Sequence, residues 1–243
     1  MAMTCYNHVD YTISAINSLI RNTPDTDRYK FSFQLFDDCS TDATQSCVKK
    51  FDSVSYFRNE RNKGLISLWN RAYEVNKDKD YLIIVNNDVL FGRNWAVNLI
   101  DEMIRLRCVV AGPVTNAPGH ILDQRVQNFL KHYKNEDIQE HIDKTAELLK
   151  NKKGFTTEII NGFCMAFKLD VLHNLIPFKG IDGTFGGEDD FFKRCTCHPA
   201  VVPSSFVFHY KQVSVDRKNF KDQWSRKRGW MSGKITNIFK KRK

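Results

Sequence analysis

No apolar run in this sequence approaches the roughly 20 residues that a membrane-spanning helix needs. The opening MAMTCYNHVD lacks the basic and apolar regions of a secretory leader, so a soluble, unprocessed, cytoplasmic protein is expected. Cysteines number 7, an odd set without paired C-x-x-C spacing, which argues against a disulfide framework and for a reducing compartment. Cys195-Thr196-Cys197-His198 has no second ligand pair at a recognisable spacing, so these read as incidental thiols rather than a zinc site. Internal repeats and low-complexity linkers are also missing, which leaves one compact domain with an appendage.

What is present fits that frame. A chain of 243 residues, 42% hydrophobic and 27% charged, is long enough for one large α/β domain. The net charge of +9 is unevenly placed: Lys211 to Lys243 holds 12 Lys+Arg against 2 Asp+Glu, so the remainder is close to neutral. In that tail Trp224, Trp230, Met231, Ile235, Ile238 and Phe239 alternate with cations, a composition suited to an anionic membrane surface or a phosphate-rich partner. A solvated basic helix with a frayed end explains the same composition.

Apolar spacing alternates between periods of two and about 3.6, the sign of successive strands and helices. Ile13, Ile16, Leu19 and Ile20 share a helical face, and Phe31, Phe33 and Leu35 share one side of a strand ended by Asp37-Asp38. Ser40-Thr41-Asp42 offers acceptors that cap a following helix. Val54 to Arg58 reads as a strand, Gly64 breaks the chain, and Leu65, Leu68, Trp69, Ala72 and Val75 define the next helix. The run Leu82-Ile83-Ile84-Val85 then delivers Asn86-Asn87-Asp88 to its carboxyl end, where open α/β sheets bind ligands. A helix over 93–107 and the strand CVVAG complete a β/α half of about 115 residues. From Gly119 to Gly154, Leu122, Val126, Phe129, Leu130 and Tyr133 predict an inserted helical cover. TEIINGFCMAFK reads as a strand or hairpin, GGEDDFFKR as an acidic helix opened by glycines, and VVPSSFVFHY as strands ending near His209.

Asp37-Asp38 and Asp88, at the ends of parallel strands, would share one rim, and their mutual repulsion calls for a counter-charge. A divalent cation bridging a diphosphate supplies one, with oxygen ligands that suit Mg²⁺ or Mn²⁺. In Glu188-Asp189-Asp190, one carboxylate crowded by two others is suited to accept a proton from a hydroxyl; the same triplet in a first helical turn also stabilises the helix. His209, after an apolar strand, is either a structural residue or a ligand.

The order of motifs resembles the family 2 glycosyltransferases, inverting enzymes of the GT-A fold. MTCYNHVDYTISAINSLI is similar to that family's opening strand and helix, FDDCSTDAT to its D-D-x-S-T-D turn, and NKGLISLWNRAYEV to its nucleotide-facing helix. IVNNDV resembles the D-x-D region, INGFCMAFKLDVL the G-x-x-M-x-F-R strand, GGEDDFF the E-D acceptor and base motif, and FVFHYKQVS the closing H-x-x-x-S element. The match runs from Met1 to about Ser214. It implies a GT-A mixed sheet flanked by helices over 1–214, with a nucleotide half to about 115, an acceptor half from about 116, and a basic tail over 215–243.

Roles follow from the resemblance. Thr4, Tyr6 and Asn7 would line the nucleotide pocket, and Asp37, beside Asp38, would accept the imide N–H of uracil or thymine, favouring a UDP- or dTDP-sugar over a cytidine donor, with guanine, which also presents an N–H, left open. Lys63, Gly64 and Asn70 would face nucleotide and sugar, with Lys63 pairing to phosphate, and Asn87 would touch the sugar or ribose. Asp88 and His209 would hold Mn²⁺ or Mg²⁺. Gly187 and Glu188 would bind the acceptor, and Asp189 would be the base. The chain departs from the pattern in three places. Asn86 stands where the first acid of D-x-D belongs, which weakens the metal's hold, and Lys168 replaces the arginine of G-x-x-M-x-F-R. GGEDDFFKR is one residue short, so counting back from Arg194 makes Glu188 the base instead. The implied reaction is metal-assisted transfer of a sugar, with inversion, to a glycan, lipid-linked or other polyanionic acceptor, with the tail touching membrane or nucleic acid. Two other classes share part of this signal. A nucleotidyltransferase acting on sugar phosphates would carry a Gly-rich basic loop that CYNHVDY lacks, and a non-catalytic membrane or nucleic-acid binder would not need the acidic rim.

Overall fold

A strand covered by helices on both faces must be apolar on both, and Leu82-Ile83-Ile84-Val85 meets that condition. The computed structural model describes residues 1–119, 121–126, 138–180, 187–195 and 198–210, apart from the side chains of Glu188 and Asp189. In it this run is the middle of β4 (Tyr81–Asn86). Three further strands lie parallel beside it, β1 (Ala2–Cys5), β2 (Phe33–Asp37) and β3 (Val54–Arg58), in the order β3-β2-β1-β4. Helices α1 (Val9–Asn22), α2 (Thr44–Val48) and α3 (Leu65–Asn76) make the crossovers.

The order reverses at β1, whose two neighbours β2 and β4 are reached by connections running in opposite directions along the sheet. The carboxyl ends of β1 and β4 therefore flank a topological switch point, the place where such sheets leave a crevice for ligand. Side chains alternate across the sheet accordingly. Met3, Ile83 and Val85 join Ile16 and Leu19 of α1 and Trp95 and Leu99 of α4 (Trp95–Leu106) in one core. Ala2, Leu82 and Ile84 join Leu68 and Trp69 of α3 in the other, where Ile142 of α5 (Ile138–Leu149) and Phe191 of α7 (Gly187–Arg194) also lie.

The second half extends the sheet as β8-β6-β9-β5. β8 (Cys164–Lys168) is antiparallel to β4 and to β6 (Val110–Val114), and β9 (Ala200–His209) is parallel to β6. The two-residue β7 (Phe155–Thr156) pairs with β9, and the short helix α6 (Leu169–Leu172) follows β8. One element escapes any periodicity argument. β5 (Val89–Phe91), only three residues long, turns back from the β4 tip and pairs antiparallel with the end of β9, setting Val89 opposite His209.

Three expectations change. Leu122 and Val126 do not open a helical cover: Leu122–Gln124 is a single 3-10 turn, and Arg125 bridges to Thr115, so the cover's described helix is α5. Phe129, Leu130 and Tyr133 lie outside the described residues. VVPSSFVFHY forms one strand rather than several; β9 accommodates Pro203 through a register shift, pairing Val202 with Pro113 and then Phe206 with Val114. Among the cysteines, Cys5, Cys39, Cys47, Cys108 and Cys164 are free thiols, whereas Cys195 is disulfide-bonded. No helix among the described residues is long and apolar enough to cross a membrane. The basic tail over 215–243 lies outside the described residues.

Candidate active site

The switch point is shaped first by the exit from β1. Asn7 and His8 both take left-handed backbone, φ 57° and 61°, which turns the chain sharply into α1. Such a turn needs outside support, because a side-chain amide tolerates this region at a cost. The β2 turn gives it: Asn7 N–H donates to Ser40 Oγ at 2.7 Å, and Thr41 N–H donates to Asn7 Oδ1 at 2.7 Å. Asp42 caps two helix starts at once. Its Oδ1 accepts Thr44 N–H (3.0 Å) and the Thr44 hydroxyl (2.5 Å), and its Oδ2 accepts Val9 N–H (3.0 Å) at the head of α1.

Partial burial opposes ionisation of Asp42, but the bonds from Thr44 and Val9 outweigh it and hold its pKa below the usual carboxylate value. A depressed folded pKa contributes stability that is fully present above the unfolded value near 4 and disappears as pH falls through the folded one. Asp42→Ala is expected to cost about 1 kcal/mol near neutral pH, as loss of a helix cap does. Urea midpoints of wild type and variant should converge in acid; a difference that stays constant down to low pH would contradict the capping role.

Asp37 lies at the end of β2 and is completely buried. Oδ1 accepts the Ser40 N–H at 2.8 Å and the Ser40 hydroxyl at 2.5 Å, while Oδ2 accepts the Tyr56 hydroxyl at 2.5 Å. Burial and then the Asp37 carboxylate push the Tyr56 phenol well up, so it remains a donor. Arg58 Nε stands 3.6 Å from Asp37 Oδ2 and is itself without a hydrogen-bond partner, while Arg58 Nη2 donates to Ser40 O at 2.9 Å. A carboxylate offers about four acceptor positions, and here three are filled. Asp37 thus braces the β2 turn from its buried position, with one acceptor position left over. Asp38 braces the neighbouring loop in the same way. It accepts Asn59 Nδ2 (2.8 Å), Lys63 N–H (2.9 Å) and Gly64 N–H (2.7 Å), drawing the segment ahead of α3 onto the rim. Gly64 has φ 82°, a conformation that glycine adopts without strain. The Lys63 side chain is left exposed at this edge, as is Tyr6, at 39%.

Across the switch point, Asp88 follows the β4 tip and His209 ends β9. The 3-residue pairing of β5 with β9 brings them together, and Tyr210 N–H donates to Asp88 O at 3.0 Å. Asp88 Oδ1 and His209 Nε2 lie 3.3 Å apart, yet Asp88 Oδ1 and His209 Nδ1 are buried without a hydrogen-bond partner. Unpaired buried polar atoms are rare and call for an explanation. Two ligands at right angles, each about 2.2 Å from an ion, lie about 3.1 Å apart, so this separation suits neighbouring positions on a small divalent cation. The donor set of one carboxylate oxygen and one imidazole nitrogen suits Mn²⁺. Among the described residues no group of three or more His, Cys, Asp or Glu side chains gathers to hold a metal, so the pair fits an ion that takes its other ligands from a substrate or water.

This geometry meets a sequence match. The model of the family Glycosyl transferase family 2 fits residues 1–176. The chain is a member of glycosyl transferase family 2. No curated protein matches it by sequence. Solved structures share its fold, and their likeness is one of architecture. GalNAc-T7 with UDP, GalNAc and Mn²⁺ is 20% identical, with TM-score 0.60 over 86% of this chain and 43% of that one. The Pyrobaculum calidifontis mannosyltransferase PcManGT with GDP-Man and Mn²⁺ is 14% identical, with TM-score 0.61 over 88% of this chain and 56% of that one. TarS 1-349 of S. aureus is 14% identical, with TM-score 0.58 over 86% of this chain and 59% of that one. The chain thus spans about half the length of these GT-A glycosyltransferases.

In this family 2 chain the expected residues divide into those that face the crevice and those that build it. Thr4 is buried, its hydroxyl 3.4 Å from Val85 O, and bridges β1 to β4. Asn87 is also buried; its Nδ2 donates to Thr12 Oγ1 at 2.9 Å and Asn7 O at 3.4 Å, anchoring the β4 tip to α1. Asn70 exchanges two bonds with Phe178, donating to its carbonyl at 3.0 Å and accepting its N–H at 2.7 Å, so its amide is committed to the backbone. Gly187 is a packing position: a Cβ there would lie 2.8 Å from Trp69 Cζ3 and clash with Ile66. The missing side chain lets the first turn of α7 lie directly on α3. Arg194 fixes the other end, through Asp190 Oδ2 at 2.9 Å, Leu175 O at 2.5 Å and Pro177 O at 3.1 Å. The backbone of Glu188 and Asp189 belongs to α7, and their side chains lie outside the described residues. Sequence reasoning missed Tyr56, Arg58 and Asn59 at the end of β3, and Asn116 and Phe163 around His209. Phe163 lies within INGFCMAFKLDVL but at an unspecified position of that motif, and the other four fall outside the quoted motifs, although Arg58 ending a strand was a visible signal.

Proposed function

We propose that this family 2 protein transfers a sugar from a UDP- or dTDP-sugar to an acceptor hydroxyl, with inversion and with help from a divalent metal. The observation that carries the reading is the Asp88–His209 pair, with the buried Asp88 Oδ1 unpaired and 3.3 Å from His209 Nε2, set at the switch point of the sheet. Structural neighbours carrying UDP-GlcNAc, UDP with Mn²⁺, or GDP-Man with Mn²⁺ support a nucleotide-sugar donor.

In this scheme Tyr6, Asn7 and the β2 turn form the nucleoside side of the crevice, with Asp37 and Asp38 bracing it from below. Lys63 pairs with the diphosphate at the exposed edge. Asp88 and His209 would hold Mn²⁺ or Mg²⁺, which when bound would supply positive charge to offset that developing on the diphosphate leaving group. Asp189, or its neighbour Glu188, takes the acceptor hydroxyl's proton as that oxygen attacks the anomeric carbon from the face opposite the diphosphate. The carbon–oxygen bond to the diphosphate breaks and its electrons leave with the nucleotide, which inverts the configuration. The basic, Trp-containing tail over 215–243 favours a polyanionic or lipid-linked acceptor, with peripheral membrane contact.

A screen of nucleotide sugars for slow hydrolysis in Mn²⁺, without acceptor, tests the donor assignment. Release of UDP or dTDP from one sugar donor is expected. Formation of a nucleoside diphosphate sugar with release of pyrophosphate, from a nucleoside triphosphate and a sugar phosphate, would instead identify a nucleotidyltransferase.

A further inference from the structure

A histidine that binds metal through one ring nitrogen usually donates its other N–H to a carboxylate or carbonyl, and that bond fixes the ring's orientation. His209 has no such bond, because Nδ1 is buried and unpaired. Its position is nevertheless over-determined by two other residues. Asn116, just after β6, grips the His209 backbone from both sides: Nδ2 donates to His209 O at 3.1 Å, and Oδ1 accepts His209 N–H at 2.8 Å. Phe163, buried ahead of β8, stacks on the imidazole with ring centroids 5.0 Å apart and planes within 14°. The same Phe163 accepts Asn86 N–H on its carbonyl at 2.9 Å, which ties it to the β4 tip that carries Asp88.

We infer that Asn116 and Phe163 are positioning residues for the metal: the amide clamp sets where the His209 Cα lies, and the ring stack sets the plane in which Nε2 points toward Asp88. This rests on the metal-assisted reading above. An apolar stack leaves the ring free of any fixed proton acceptor, so orientation here comes from packing and backbone bonding instead of the usual hydrogen bond at the second nitrogen. With Asp88 and His209 as the ligand side chains gathered among the described residues, the site depends strongly on ligand placement, and losing either support should cost metal affinity about as much as losing an outer-shell hydrogen bond does elsewhere.

The test is a Mn²⁺ titration followed by electron paramagnetic resonance on the full chain with saturating UDP, for wild type, Asn116→Ala and Phe163→Leu. UDP binding without metal is measured alongside. Each variant is expected to weaken Mn²⁺ binding about tenfold while metal-free UDP affinity stays within about twofold. Mn²⁺ affinity unchanged in both variants, with wild type binding normally, overturns this inference and leaves the proposed function standing. A parallel fall in metal-free UDP affinity also overturns it, because a general disturbance would then explain the loss. Absence of UDP-dependent Mn²⁺ uptake by wild type brings down both. If Phe163→Leu, which removes a fully buried ring, fails to fold, the half-buried Asn116→Ala decides alone.

Discussion

Asp189→Asn is expected to lower sugar transfer by about 10²–10⁴-fold, the range lost with a general base, while UDP affinity in Mn²⁺ remains within about twofold of wild type. The separation follows from where α7 sits. Its first turn is seated on α3 through Gly187, its Phe191 is in the core, and Arg194 ties its end to Leu175 and Pro177. An isosteric amide at 189 would therefore remove the proposed proton acceptance without disturbing the crevice between β1 and β4. Steady-state kinetics with saturating donor measures the first quantity and calorimetry with UDP the second. Near wild-type turnover in Asp189→Asn, combined with its loss in Glu188→Gln, would assign the base to Glu188.

Asp88→Ala should have the opposite signature. With the carboxylate gone, His209 would be the remaining protein ligand of the proposed pair, and Mn²⁺-dependent UDP binding is expected to fall on the order of 100-fold, the upper range for loss of an outer-shell partner of a metal site. UDP binding without metal should change little, because the bonds of Asp37, Asp38 and Asn7 that shape the nucleoside side do not involve Asp88. Transfer should fall at least in step. If Asp88→Ala binds UDP equally well in Mn²⁺, Asp88 is not the metal's carboxylate.

The elements legible in the sequence were those whose burial is regular. β4 is apolar on both faces because helices cover both, and α1, α3 and α4 each show one apolar face to the sheet. β5 was not legible, because three residues cannot establish a period. VVPSSFVFHY read as strands in the plural, whereas a register shift against β6 lets β9 continue past Pro203. At the site, sequence located the rim but not the use of each side chain. Asp37, Asn70 and Asn87 are polar residues in motif positions, yet much of their hydrogen-bonding capacity is taken up by Ser40 and Tyr56, by Phe178, and by Thr12. Such consumption depends on partners up to 108 residues away. Asp88 and His209 are likewise joined by the β5–β9 pairing, and no local spacing connects them. Gly187 illustrates the converse: a glycine suited to an acceptor loop serves close packing against Trp69.

Calorimetric titration of UDP into the full chain, with and without Mn²⁺, tests the central claim most directly. The account predicts saturable binding in Mn²⁺ that weakens at least about tenfold when the metal is replaced by EDTA, consistent with an ion shared between protein and diphosphate. Equal binding in both conditions, or none at millimolar UDP with Mn²⁺, would contradict a metal-assisted nucleotide-sugar site at Asp88 and His209.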